Sequence, residues 1–179
     1  DLGADVIKIE DTGKGDDLRN HKPPHIECDS PYFLSLNRNK QSIAIDMAAP
    51  EGRDVILELL SEADVLVENF RTGVMEKFGF GYESLKNRFP KLVYCSISGY
   101  GREGSQKSRA AYDPIVQAES GQMATNGSVE SGPMRTGLAV TDTQTGHFAV
   151  QGILAALFAR ERSGRGQYIE GPLFDVAVS

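Results

Sequence analysis

The sequence predicts an α/β protein built on a parallel sheet. Short apolar runs of β character alternate with segments of helical periodicity. The connections between successive runs are long enough to contain the helical crossovers that parallel strands require. With 179 residues, 40% of them hydrophobic and 25% charged, the chain has the composition of an ordinary soluble globular protein. We therefore expect one domain over residues 1–179.

The first part of the chain contains two predicted strands, DVIKIE at 5–10 and QSIAID at 41–46. A polar loop of about thirty residues separates them, which is longer than most connections. A helix is predicted from Pro50 to Ala63, because apolar residues recur there at one-turn spacing and proline suits the first helical position. The run DVLVENF at 64–70 predicts the next strand.

The second part continues the alternation. Short helical pieces are predicted near GVMEKFGF and YESLKNRF, followed by the strand KLVYCSISGYG at 91–101. A helix is predicted from Asp113 to Ala124, and a long helix that Gly164 ends. Thr141 and Gln144 have the spacing of a capping box, which would place Asp142 at the first helical position. The last segment, PLFDVAVS, has helical spacing.

Charge and cysteine content exclude several classes of function. A net charge of −6 argues against general nucleic-acid binding. No apolar run approaches the roughly 20 residues of a membrane span, and no signal peptide is recognisable, so we expect a cytoplasmic protein. Cys28 and Cys95 lie far apart without a CxxC pattern, so neither a disulfide framework nor a metal site is predicted. Both ends begin or stop within an element, which indicates a fragment.

Two segments could bind a ligand. The predicted strand at 64–70 ends in Asn69 and Phe70 and runs directly into Arg71, at the place where ligands collect in parallel α/β sheets. Their amide, ring and cation suit a nucleotide with phosphates, although a plain strand end followed by a turn explains them too. Asn37, Arg38, Asn39 and Lys40 precede a strand, and a solvated charged run is the alternative. There is no GxGxxG and no P-loop pattern.

Asp142 by itself does not require a catalytic role. Acidic residues are favoured in the first turn of a helix by its dipole. His147 is five residues further on, about 500° around the helix, so it points elsewhere. No Ser–His–Asp arrangement can be read from these residues.

The joint pattern is more specific than its parts. Seven short motifs occur in a fixed order across the whole chain: LGADVIKIE, LNRNKQSIAID, ADVLVENFRTGVMEKFGFGYESL, CSISGYGREG, AAYDPIVQAESG, DTQTGH and RSGRGQYIE. Together they resemble the family III CoA-transferases, a group related to α-methylacyl-CoA racemase. The resemblance implies the parallel-sheet, Rossmann-like large domain of that family, incomplete at both ends.

The resemblance also implies a mechanism. Asp142 matches the family's nucleophile, which forms an aspartyl–acyl anhydride and then an aspartyl–CoA thioester. Tyr112 matches the site tyrosine of the transferases, where the racemases have a histidine. The racemases also have a glycine run where this chain has Thr143, Gln144 and Thr145. In relatives a glycine-rich loop that covers the site comes from sequence beyond Ser179, and the resemblance does not identify the oxyanion donors.

The CoA-contacting positions carry over to several residues of this chain. Lys77 stands where formyl-CoA transferase has an arginine, and Ala110 where that enzyme has a lysine near CoA. Either Arg109 replaces the contact of that lysine or the contact is absent. The implied CoA contacts are Asn37, Arg38, Lys40, Asn69, Phe70, Arg71 and Lys77.

Three functions therefore stay open at this point. The first is a CoA-transferase that uses acyl-CoA and small carboxylic acids as substrates, with no tightly bound cofactor and no metal. The alternatives are an α-methylacyl-CoA racemase or epimerase and a non-catalytic CoA-binding module. The family implies an interlocked homodimer, and we expect the 179-residue piece alone to be inactive.

Overall fold

The computed structural model describes residues 2–21, 24, 26 and 29–179. Its internal contacts group the chain into two compact units, Asp1–Leu57 and Glu58–Ser179. Within the described residues all strand pairs are parallel, which confirms the predicted α/β class. The assignment of residues 1–179 to one domain stays a prediction.

The first unit contains a two-stranded parallel sheet. Strand β1, Val6–Glu10, pairs with β2, Lys40–Ala44. Between them the structure has a 3-10 helix, Asp17–Asn20, and helix α1, Pro31–Asn37, where the sequence predicted only loop. That prediction is wrong for 31–37, because Ser30 caps the helix: its Oγ accepts the N–H of Phe33 at 3.0 Å.

The carboxyl end of β1 holds a buried ion pair, which we call the Glu10 cluster (Glu10, Arg19 and Ser42). Arg19 Nε and Nη2 donate to the two oxygens of Glu10 at 2.9 and 2.8 Å, and Ser42 Oγ donates to Oε1 at 2.7 Å. The N–H of Asp16 donates to Oε2 at 3.0 Å. These bonds, above all those from Arg19, lower the pKa of Glu10 to about 2.

Helix α2, Pro50–Glu62, agrees with the prediction to within one residue. Its residues Ile56, Leu57 and Leu60 are buried, as the one-turn spacing of its apolar positions requires. The helix contains the boundary between the two units.

The second unit contains a three-stranded parallel sheet in the order β3-β4-β5. The strands are β3, Val65–Glu68, β4, Val93–Ser98, and β5, Tyr168–Pro172. The central strand β4 is buried along most of its length, as expected for a strand between two parallel neighbours. The strand β5 was not predicted, since five residues that include Gly171 and Pro172 carry little β signal.

The helices of this unit follow the predicted order. They are α3, Val74–Phe78, α4, Tyr82–Leu85, α5, Asp113–Glu119, α6, Gln122–Asn126, α7, Val140–Ser163, and α8, Leu173–Val178. The single helix predicted for 113–124 is interrupted at Gly121, which has a left-handed φ of 86°. Gly164 ends α7 as predicted, with φ 69° and its N–H bonded to the carbonyl of Arg160 at 2.7 Å. None of the described helices combines the length and apolar character needed to span a membrane.

The direction of α7 is opposite to that of the strands. Near its end, Arg160 Nη2 bonds Asp64 Oδ1 at 2.7 Å, just before β3 begins. Near its middle, a Cβ on Gly152 would lie 3.1 Å from Cγ2 of Ile169 in β5. Near its start, Thr145 lies against Gly171. The amino end of α7 therefore lies at the carboxyl edge of this sheet.

Candidate active site

Two predicted site segments meet the carboxyl edge of the three-stranded sheet. Asn69 and Phe70 follow β3 directly, and α7 brings Asp142 to the same edge. Parallel α/β proteins bind ligands at this edge. Both segments lie in the second unit, and their role in ligand binding stays a prediction.

Asp142 is the third residue of α7, because the helix begins at Val140. The predicted capping box, with Asp142 at the first position, is wrong. The N-cap residue is Ala139, without a side-chain cap, and the buried Thr141 directs its Oγ1 to Gln122 Oε1 at 3.3 Å.

The first turn of α7 is capped from outside the helix by Asp113. Its Oδ2 accepts the N–H groups of Thr141 at 2.8 Å and Asp142 at 3.1 Å. Its Oδ1 accepts a hydrogen bond from Gln117 Nε2. Asp113 is only 5% exposed, so a buried carboxylate holds the backbone of Asp142 in place.

The pKa of Asp142 is raised above its usual value. Neighbouring protein atoms displace part of the water around the carboxyl, and the negative charge of Asp113 adds to the effect. The helix dipole, which favours an acidic residue in the first turn, does not offset these two effects on the pKa of Asp142, and Asp113 takes two of the first-turn N–H donors. The residue as a whole is nevertheless exposed.

Tyr112 lies directly before the residue that holds Asp142. It is the N-cap residue of α5, and it is 68% exposed. The preceding residue, Ala111, packs against the exit of β4: a Cβ on Gly99 would lie 2.3 Å from Cβ of Ala111. This close approach fixes the chain next to Tyr112 and Asp113.

A second buried ion pair lies where β3 and β4 end, and we call it the Glu68 cluster (Glu68, Ser96 and Arg102). Arg102 Nη2 donates to Glu68 Oε1 at 2.8 Å, and its Nε donates to Ser96 Oγ at 2.7 Å. Ser96 Oγ in turn donates to Glu68 Oε1. The N–H of Phe70 donates to Glu68 Oε2 at 2.8 Å. The cluster therefore fixes the start of the segment Asn69–Arg71.

The predicted contacts in the first unit are Asn37, Arg38 and Lys40, at the junction of α1 and β2. Lys40 Nζ donates to Asn37 Oδ1 at 3.1 Å, and Asn37 Nδ2 donates to the carbonyl of Phe33 at 3.0 Å. Burial and the neighbouring Lys8 lower the pKa of Lys40. Arg38 Nη1 donates to the carbonyl of Ser35 at 3.1 Å.

The remaining predicted cations differ in their surroundings. Arg71 and Lys77 are exposed. Arg109, considered as a substitute for the lysine missing at position 110, is bonded to Glu119 and lies 4.9 Å from the centre of the Tyr100 ring. It would have to leave these partners to reach a ligand.

The other candidate side chains do not enter the Asp142 site. His147 lines an open cavity of about 400 Å³ that does not include Asp142, consistent with its predicted direction. Cys95 is buried, and burial raises its pKa; Cys28 lies outside the described residues. Among residues 2–21, 24, 26 and 29–179, no group of three His, Cys, Asp or Glu side chains could hold a metal ion.

Asp113 and Arg102 support the site, although no sequence pattern indicates this role. Asp113 was seen only as the start of a helix, where acidic residues are common. Arg102 lies in the run Gly-Arg-Glu-Gly at 101–104, which has the pattern of a surface turn. Both act through contacts with residues 28 or more positions away: Arg102 with Glu68, and Asp113 with Thr141 and Asp142, which no local pattern reveals.

Comparison with known proteins agrees with the earlier resemblance. The family model described as CoA-transferase family III matches residues 1–179. A succinyl-CoA:glutarate CoA-transferase of Mus musculus is 45% identical over 179 residues, covering 100% of this chain and 41% of that protein. An acetyl-CoA:oxalate CoA-transferase of Acetobacter aceti is 45% identical, covering 98% of this chain and 45% of that protein.

Solved structures give the same result. A CAIB/BAIF family protein from Brucella suis superposes with a TM-score of 0.94 at 43% identity, covering 99% of this chain and 48% of that one. The chain thus spans less than half the length of these relatives. The match over its whole length shows that the chain belongs to CoA-transferase family III.

Proposed function

We propose that the full-length protein transfers CoA from an acyl-CoA donor to a carboxylic acid acceptor, with Asp142 as the nucleophile. The observation that carries this proposal is an exposed aspartate at the carboxyl edge of the sheet, whose backbone is held by the buried Asp113. The names of the relatives support the reaction class, since each describes CoA transfer between two acids.

The reaction runs in four exchanges without a net proton transfer. An Asp142 oxygen attacks the donor thioester, and CoA leaves as a thiolate to give a mixed anhydride. The thiolate attacks the Asp142 carbonyl carbon and releases the donor acid, giving an aspartyl–CoA thioester. The acceptor carboxylate displaces CoA to form a second anhydride. CoA thiolate then attacks the acceptor acyl carbon and regenerates the Asp142 carboxylate.

The environment of Asp142 suits this role. A raised pKa makes a carboxylate more basic and hence a better nucleophile, while burial of Asp113 keeps the backbone of Asp142 rigid. The ionised form reacts, so activity should fall on the acid side at a pH higher than an ordinary aspartate would give.

The other site residues would bind the substrate. Tyr112, exposed beside Asp113, would contact the reacting acyl group. The Phe70 ring, 43% exposed, would pack on the adenine or pantetheine, and the cations would meet phosphate. The CoA contacts in this proposal are Asn37, Arg38, Lys40, Asn69, Phe70, Arg71 and Lys77.

Intact-mass spectrometry of the full-length protein tests the proposal. After incubation with a panel of short acyl-CoAs, we expect the mass to rise by one covalently bound CoA, and Asp142→Ala to remove this adduct. Asp175→Ala is a matched control, because Asp175 is also an exposed acid at the third position of its helix, α8. The adduct should persist in that control.

The absence of an adduct with every donor would reject the covalent mechanism. An adduct that survives Asp142→Ala would reject Asp142 as its site. Solvent deuterium entering the α-carbon of a 2-methylacyl-CoA, without CoA exchange, would favour the racemase instead.

A further inference from the structure

Arg102 lies in the segment that follows β4, and its side chain reaches the segment that follows β3 at the same edge of the sheet. Its Nη1 donates to the carbonyl of Phe70 at 2.7 Å, and its Nη2 donates to the carbonyl of Ile97 at 3.1 Å as well as to Glu68. Its side chain is 15% exposed. One guanidinium therefore bonds the end of β3, the end of β4 and the segment after β3.

The segment after β3 is fixed on both sides of Phe70. Glu68 accepts the N–H of Phe70 at 2.8 Å, and Arg102 takes its carbonyl. Thr72 Oγ1 lies 3.4 Å from Arg102 Nη1 and donates to the carbonyl of Lys107 at 2.6 Å. The Phe70 ring meanwhile remains 43% exposed. The backbone of Phe70 is thus fixed by hydrogen bonds, while its ring stays free to contact a ligand.

We propose that Arg102 is a positioning residue for acyl-CoA binding, because it holds Asn69–Thr72 in the conformation that presents Phe70 and Arg71 to the ligand. This inference rests on the proposed function for the role of that segment. Arg102 itself need not touch the ligand, since its donors are directed to protein acceptors.

The chemistry of arginine suits this role. Its planar group offers several donors at fixed angles, which here reach a carboxylate, a hydroxyl and two carbonyls. A lysine would keep the charge but has one nitrogen for all these acceptors. A segment ordered before binding costs less entropy when the ligand arrives, so losing the order weakens binding more than it slows chemistry.

Arg160 provides a matched control at the opposite edge of the same sheet. It pairs with Asp64 Oδ1 at 2.7 Å and donates to the carbonyl of Lys91 at 3.1 Å, and its side chain is also 15% exposed. Its partners precede β3 and β4, far along the strands from Phe70. It therefore has a comparable structural role without contact with the segment Asn69–Thr72.

The test compares Arg102→Lys and Arg102→Met with Arg160→Lys and Arg160→Met in the full-length protein. We expect Arg102→Lys to raise the KM for acyl-CoA about tenfold, with kcat and the KM for the acceptor acid nearly unchanged. Hydrogen–deuterium exchange of peptides covering 69–73 should be faster in both Arg102 variants. The Arg160 variants should lower Tm without changing the KM for acyl-CoA or the exchange rate of peptides covering 69–73.

Three results would overturn the inference: an unchanged KM for acyl-CoA in Arg102→Lys, an equal rise in Arg160→Lys, or unchanged exchange at 69–73. If Arg102→Met does not fold, Arg102→Lys decides, because it keeps the positive charge beside Glu68. If the wild type forms no adduct and exchanges no CoA, the proposed function fails. The role of Arg102 is then tested separately, by comparing the affinity for CoA and the hydrogen–deuterium exchange at 69–73 between wild type and the Arg102 variants.

Discussion

The Glu10 cluster in the first unit and the Glu68 cluster in the second have the same plan. In each, a glutamate ends a strand, a serine of the neighbouring strand donates to Oε1, and an arginine further along the chain neutralises the charge. A backbone N–H of the following loop donates to Oε2 in both. Two units of one chain thus fasten the exit of a parallel strand in the same way.

The arginines of the two clusters differ in what else they bind. Arg19 also pairs with Asp29 at 2.9 Å and lies 3.9 Å from the centre of the Phe33 ring. Arg102 instead donates to the carbonyls of Phe70 and Ile97. The first arginine is balanced by two carboxylates, whereas the second holds a loop backbone beside the candidate site. Similar clusters therefore predict different consequences of mutation, on stability in one and on ligand binding in the other.

Removing the arginine of the Glu10 cluster gives the largest expected effect. Arg19→Met removes the guanidinium from the buried Glu10 carboxylate and leaves only Lys8, with Nζ 3.6 Å from Oε1, as its cation, so the free energy of unfolding should fall by about 3–4 kcal/mol. Denaturant unfolding of the full-length protein measures this loss. Lys14→Met is the control, because the Lys14–Asp17 pair is exposed and should contribute no more than about 1 kcal/mol. Equal losses in the two variants would contradict the cluster's importance.

Acid should weaken the Glu10 cluster over a defined range of pH. The folded pKa of Glu10, about 2, lies below its ordinary value of 4.5. A depressed pKa contributes stability above the ordinary value that is lost as pH falls towards the folded one. We expect a loss of about 3 kcal/mol from this group between pH of about 5 and about 2. Denaturant unfolding at a series of pH values measures this loss, and Glu10→Gln should remove it from the pH dependence of the free energy of unfolding. An unchanged pH dependence would show that other carboxylates cause the loss.

Asp113 sharpens the comparison, because it is a buried carboxylate held by N–H donors in place of an arginine. Asp113→Asn should cost about 0.5–2 kcal/mol of stability, as for the loss of a helix cap. It should also lower the pKa of Asp142, since a neighbouring negative charge is removed. The acid limb of CoA-adduct formation should then move to lower pH. Asp175→Asn serves as the control, and a limb that does not move in Asp113→Asn would contradict this coupling.

The fold was predictable where local signals are strong. Helix α2 follows its apolar spacing, α7 ends at a left-handed glycine, and β4 is a buried apolar run. Helix α1 was missed because its signal, the Ser30–Pro31 start, lies within a polar stretch that resembles a loop. The break at Gly121 was missed because a glycine inside a helical pattern does not reveal its φ.

The site residues named from the sequence stay a prediction, whereas the contacts that support them are visible only in the structure. The order of motifs pointed to Asp142, Tyr112 and Asn69–Arg71, and the structure places the Asp142 and Asn69 segments at one edge of the second unit's sheet. The local pattern around Thr141 and Gln144 predicted a capping box that does not form. Asp113, 29 residues before Asp142, supplies the cap instead. A single sequence carries no sign of that pairing.

The absence of a side chain at Gly99 is a structural requirement of the candidate site. A methyl group there would overlap Cβ of Ala111 and push the chain that leads into Tyr112 and Asp113. Only glycine at position 99 therefore allows the close approach between the end of β4 and the chain that leads to Asp113, the aspartate that caps α7. A survey of substitutions scored only by loss of activity would mark position 99 as though it met the substrate, although the residue there has nothing with which to reach one.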